Sequence, residues 1–253
     1  MEEPTEVKMM PNPKWIRGII DGRTVVDSRD STLVWENRFY PAWYVPRPDI
    51  AGELTANGNT LESPSRGTGT RYDLTIGETV IEDAAIIHHD AEADGLGDLV
   101  RVRWDAVDSW FEEDVEVFVH PRSPHVRIDT LRSSRHIRVF VDGVVVADTH
   151  RPTLLFETGL PTRYYIPKSD VRMDLLRSTM TETACPYKGW ASYWDVDTGD
   201  QRHADLAWGY RTPLPEASGV AGLVCFYNEQ VALEVDGITI AQVQTIFSEN
   251  PFA

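Results

Sequence analysis

The sequence predicts an all-β protein, mainly antiparallel with minor helix, built as two tandem copies of one domain. Three observations carry this reading. Short β-branched runs recur at even spacing, Asp-Gly pairs separate some of them, and the whole pattern returns once along the chain.

The hairpin signal is strongest where Ile137–Val141 and residues 144–147 flank Asp142-Gly143, because a type I′ turn needs positive φ at both central residues. Ile19-Ile20, Asp21-Gly22 and Val25-Val26 repeat the device. Further strands are predicted at Thr153–Glu157, 163–166, 191–196, 223–227 and 231–235, short enough for sheets packed on each other. The clearest helical piece is residues 170–176, with Ser169 expected to cap its first turn.

The repeat holds register over a long distance. Ile16-Arg17, Asp21-Gly22, Trp35-Glu36 and Trp43-Tyr44-Val45-Pro46 return as Ile137-Arg138, Asp142-Gly143, Phe156-Glu157 and Tyr164-Tyr165-Ile166-Pro167, at 142 − 21 = 121 residues. After one inserted residue the spacing is 189 − 67 = 122. Ser63-Pro64-Ser65-Arg66-Gly67 then lies on Cys185-Pro186-Tyr187-Lys188-Gly189, and Asp83 lies on Asp205. A period this long means two full-size domains, each with its own core. The copies are expected at 1–121 and 135–253, with 122–134 as a polar, Pro124-containing linker.

With Asp+Glu at 40 against Lys+Arg at 24, the net charge is -16, which opposes nonspecific attraction to phosphate backbones and anionic lipid. Nucleic acid and membrane are therefore not expected as partners. The N-terminus shows no basic region followed by an apolar run, and no apolar segment is long enough to span a bilayer, so a soluble, cytoplasmic protein is expected. Cys185 and Cys225 read as reduced thiols. Self-association into a homo-oligomer stays open.

One stretch of the second copy concentrates chemistry: Cys185, Tyr187, Lys188, Trp190, Tyr193 and Trp194 fall within ten residues. Together with Leu155-Phe156-Glu157-Thr158-Gly159, Arg163-Tyr164-Tyr165-Ile166-Pro167, Asp205-Leu206-Ala207-Trp208 and Cys225-Phe226-Tyr227, it resembles the family catalogued as domain of unknown function 427, also labelled nucleotidyltransferase-like. The first copy is a diverged version, with Ser63, Ser65 and Arg66 replacing the cysteine, tyrosine and lysine. The resemblance implies a β-tent fold, two antiparallel sheets leaning together, in each of two tandem domains. The zinc-holding cysteine pairs of many β-tent relatives are missing, and neither a phosphate-cradling Gly-rich loop nor a magnesium carboxylate pair is visible. Neither a metal nor a cofactor is expected.

The candidate catalytic residues are Lys188, Glu157 and Asp205. Desolvation by Tyr187 and Trp190 would lower the Lys188 pKa and free its amine for acid-base or Schiff-base work; the alternative is a structural pairing. Glu157, at the end of an apolar strand, needs a cation such as Lys188 or Arg163, or serves as a general base. Asp205 lies two residues from His203, so a regular strand would put both on one face. Tyr165, Tyr187, Trp190, Trp194, Trp208 and Arg163 are the candidate ligand-binding residues, lining an aromatic pocket in the second copy. Cys185 reads as a nucleophile or a small buried residue, and His88-His89-Asp90 as a metal site or an exposed loop. Two functions remain open: a cofactor-independent enzyme using Lys188 with acid-base partners, or a non-catalytic module that binds a small molecule.

Overall fold

In the computed structural model, which describes residues 6–245 and Ser248, the chain divides into two units, Met1–Ser123 and Pro124–Ala253. The outermost ends of the two expected copies, residues 1–5 and 249–253, lie outside the described residues. Both units are built from antiparallel strands. No helix among the described residues is long and apolar enough to cross a membrane.

In the first unit, the strands Lys8–Pro11, Thr32–Trp35, Ala42–Pro46, Leu99–Val102, Thr79–Ile87, Gly67–Ile76 and Glu53–Ser63 lie in that order in one seven-stranded sheet. A second sheet runs Val115–Val117, Ser109–Glu112, Ile16–Ile20, Arg23–Ser28. Ile16, Val26, Leu74, Ala84 and Val100 are fully buried in the core of this unit. The alternation of buried and half-buried residues along Ile16–Ile20 is that of a strand with one face on the core.

The second unit repeats this order. Ile128–Arg132, Thr153–Glu157 and Arg163–Tyr165 form one sheet, and Cys225–Phe226, Arg202–Tyr210, Gly189–Asp197 and Leu176–Cys185 form another. A single bridge, Ile166 with Val224, links them where the first unit has Val45 paired with Val100. The hairpin sheet is Val144–Thr149, Ile137–Val141, Ala232–Val235, Ile238–Ile240. Asp21-Gly22 and Asp142-Gly143 occupy equivalent turns, with φ of 49° and 71° in one and 50° and 78° in the other.

Two expectations need correction. Part of the segment read as linker is a strand: Ile128–Arg132 pairs with Thr153–Glu157 as Lys8–Pro11 pairs with Thr32–Trp35, so Pro124 marks a short connection, not a long one. Residues 170–176 form no continuous helix. Two 3-10 turns, Lys168–Asp170 and Met173–Leu175, take their place, and Ser169 lies inside the first, where its hydroxyl donates to Asp170 instead of capping. Arg151 holds the Asp170 carboxylate from the other side at 2.7 Å, so the turn is anchored by an ion pair.

Candidate functional site

The strand Thr153–Glu157 carries Glu157 to the end of an apolar run, and the turn between Leu176–Cys185 and Gly189–Asp197 brings Lys188 to it. Lys188 Nζ donates to Glu157 Oε2 at 2.5 Å, and both side chains are nearly buried. Burial works against the ammonium, but Cys185 and Glu157 outweigh it and hold the Lys188 pKa above its ordinary value. The expectation of a lowered pKa is thus reversed. Trp190, counted on for desolvation, is 50% exposed, whereas the groups that touch Lys188 accept its proton's charge. An ammonium held this firmly is a poor Schiff-base amine and a weak acid.

Arg163 does not share Glu157. Its guanidinium makes a bidentate pair with Glu229 at 2.6 and 2.7 Å, in the interior, and lies 5.5 Å from the ring of Trp208 and 5.9 Å from that of Tyr227. Thr245 Oγ1 also donates to Glu229. Tyr165 is fully buried, and Trp208 Nε1 donates to its hydroxyl at 3.2 Å. Tyr165 and Tyr210 both have pKa values pushed up by burial. Cys225 is buried among these groups and its thiol is raised to about 12 by burial, which makes it inert. Tyr187 is half-buried on the turn. Trp194 packs against the second core from its half-buried side, with Lys168 Nζ 5.1 Å above its ring at a depression of about 60 Å³.

Asp205 is not brought to Lys188 or Glu157. It has φ of 48° at an irregularity in the pairing of Gly189–Asp197 with Arg202–Tyr210, which breaks the alternation that would have put it on the face of His203. Its carboxylate accepts from the Thr179 and Thr181 hydroxyls at 2.6 and 2.7 Å, and its N–H donates to Asp195. His203 turns to Asp142 instead, at 2.7 Å. The first unit contains the same device: Asp83, φ 52°, accepts from Asn57 and Asn59 and donates its N–H to Asp73. The construction is present in both copies with different donors, as a device that fixes the backbone would be.

The aromatic pocket expected in the second copy has its better-formed counterpart in the first. A cavity of about 140 Å³ is walled by Trp43, Trp104 and Trp110, whose rings lie 5.4 to 5.8 Å apart. Tyr40 and His120 stack across another part of the wall at 4.0 Å, and His120 Nδ1 donates to the Pro121 carbonyl. Glu36 and Arg101 form the polar end, joined by two bonds of 3.0 Å, with the Tyr44 hydroxyl donating to the same carboxylate. Burial opposes ionisation of Glu36, but Arg101, and Arg66 behind it, keep its pKa below the ordinary value. The signal for this site in the sequence was the set Trp43, Trp104 and Trp110, outweighed by the density of aromatics around Lys188.

The register shows what stands at this place in the second unit. Ala42 of the cavity wall corresponds to Arg163, and Arg101, paired with Tyr44 and Ile86, corresponds to Cys225 beside Trp208. The long arginine with its Glu229 partner occupies a region that alanine leaves open. His88-His89-Asp90 assembles no metal site, since among the described residues no group of three or more His, Cys, Asp or Glu is placed to hold an ion. His88 is buried, and His89 Nε2 lies 2.8 Å from the Tyr72 hydroxyl.

Compared with known proteins, residues 8–113 and again 129–237 match the family described as Domain of unknown function (DUF427). Among curated proteins, none matches the chain.

Proposed function

From the premise that this chain belongs to the DUF427 family and carries two copies of its domain, we propose that it is a small-molecule-binding protein whose ligand enters the cavity of the first unit. The observation that carries this reading is the pairing of an aromatic wall with a pre-formed polar end. Trp43, Trp104 and Trp110 offer apolar area, while Glu36 and Arg101 are already oriented by each other and by Tyr44. Val119, next to His120, supports it. A β-branched residue at φ 73° is strained, and strain of this kind collects at ligand clamps.

In this reading the cluster of Lys188, Glu157, Arg163 and Glu229 is the framework of the second unit. The alternative, a cofactor-independent enzyme acting through Lys188, draws on the meeting of Lys188, Glu157 and Cys185. Against it stand the strengthened hold on the Lys188 proton and the near-complete burial of the pair.

A screen of small molecules by tryptophan emission, on the parent, Ala42→Phe and Lys188→Met, tests the proposal. Ligands should be lost on Ala42→Phe, which closes the cavity, and kept on Lys188→Met. A ligand that is turned over by the parent and not by Lys188→Met would replace the binding reading with the enzymatic one.

A further inference from the structure

Apart from the first-unit cavity, we propose that the depression beside Trp194 in the second unit binds a small molecule that carries a carboxylate or a phosphate on an apolar body. Trp194, Tyr210 and Leu223 give its lining apolar surface, and Lys168, Arg211 and Ser192 give it donors. The two cations carry the argument. Lys168 meets the Trp194 ring, and neither it nor Arg211 is ion-paired among the described residues. Acids are not scarce, since Asp+Glu outnumber Lys+Arg by 40 to 24. Asp170, the nearest to Lys168 in sequence, is already held by Arg151, Thr149 and Ser169, and Glu182, opposite Ser192 in the strand pairing, does not line the depression. Two cations lining one concavity repel unless an anion comes between them, and the planar fork of arginine suits carboxylate and phosphate oxygens alike.

The first copy supplies the control. At the repeat spacing, Arg47, Thr70, Tyr72, Ile87 and His89 stand where Lys168, Ser192, Trp194, Gly209 and Arg211 stand in the second. The strand pairing agrees, with Thr70 opposite Ile87 as Ser192 is opposite Gly209. Basic, hydroxyl and aromatic side chains therefore recur, but in the first copy they are spent on the protein itself. Arg47 donates to the carbonyls of Ile50 and Gly52 at 3.1 Å each, and His89 Nε2 shares a hydrogen bond of 2.8 Å with the Tyr72 hydroxyl. Ile87 is buried where the second copy has a glycine. Gly209 has no side chain to fill the depression, and a Cβ there would stand 2.4 Å from the Leu223 carbonyl oxygen and 3.4 Å from the Trp194 ring. The second copy thus keeps the same set of groups with their charges unspent around a gap.

The test is a titration of the full chain at constant ionic strength, followed by nuclear magnetic resonance at the indole N–H of Trp194, whose signal is assigned through Trp194→Phe. The probes are benzoate, phenyl phosphate, benzamide and acetate. Benzoate or phenyl phosphate should shift the signal saturably and bind at least about tenfold more tightly than benzamide, which lacks the charge, and acetate, which lacks the ring. The tighter of the two aryl anions identifies the group as carboxylate or phosphate. Lys168→Gln and Arg211→Gln should each weaken that probe at least about tenfold, and Ala42→Phe should leave it unchanged. Benzamide binding as tightly as the aryl anions would overturn the anionic group, and acetate binding as tightly would overturn the apolar body. Binding that survives both charge substitutions, or a Trp194 signal that no probe moves, would overturn the site. Shifts confined to Trp43, Trp104 and Trp110 would do the same, while leaving the first-unit cavity as the place of binding.

Discussion

The two units share a backbone and differ in what that backbone encloses. Asp21-Gly22 and Asp142-Gly143 turn in the same way, and Asp83 and Asp205 sit at matching left-handed positions. At the cavity the copies part: Ala42 and Arg101 stand in one where Arg163 and Cys225 stand in the other. The arginine stands on a different strand in each copy and has a different partner, Glu36 for Arg101 and Glu229 for Arg163, while Glu157, the counterpart of Glu36, is held by Lys188. Duplication preserves the devices that fix strand direction, because the fold fails without them. Interior charge pairs are freer, since any arrangement that leaves no charge unpaired is tolerated.

The comparison breaks most visibly at Glu229. Glu229→Ala strands the buried Arg163 guanidinium and should cost roughly 3 to 5 kcal/mol in chemical denaturation. The corresponding change in the first unit, Asp105→Ala, removes an exposed partner of Arg103 and should cost under about 1 kcal/mol. Equal losses would show that the two interiors are not organised differently.

Lys188→Met comes next. It leaves Glu157 buried without its cation and should cost about 3 kcal/mol, part of which Glu157→Gln in the same chain restores. The pH dependence sharpens this. The Lys188 pKa is raised above its ordinary 10.5, so its contribution is complete below 10.5 and is lost as pH climbs through the higher folded value. The melting temperature of the parent should therefore fall in that alkaline range, and Lys188→Met should lack that part of the fall. Glu36 and Glu229, lowered from 4.5, act in the opposite sense: their contribution is present above 4.5 and lost as pH drops through their lower folded values.

Asp205→Ala should cost about 2 kcal/mol, through the lost Thr179 and Thr181 bonds and an alanine at φ 48°. Asp83→Ala should cost a similar amount, and binding of a first-unit ligand should be indifferent to Asp205→Ala. A loss of binding there would return Asp205 to the site.

What the sequence made legible was whatever is local or repeated. Asp-Gly turns announce themselves, and the repeat was visible from Ile16 onward. The pairing of Glu157 with Lys188 was one of the options open, and the long-range pairing of Arg163 with Glu229 separates it from the other cation. The misplacement of Asp205 came from assuming strict alternation, which the irregularity beside Trp194 breaks. The pair of Arg163 and Glu229 joins residues 66 positions apart and leaves no local trace. The cavity was hidden for a further reason: Ala42 in its wall is small and gives no signal, and aromatic density pointed instead to the buried residues around Arg163.

Anomalous diffraction from crystals of the full chain soaked with bromobenzene tests the central claim most directly, because bromine marks its position without reference to activity. The account predicts a bromine peak in the first unit beside Trp43, Trp104 and Trp110, and none near Lys188, Glu157 or Arg163. A peak in the interior of the second unit, with the first-unit cavity empty, would contradict it.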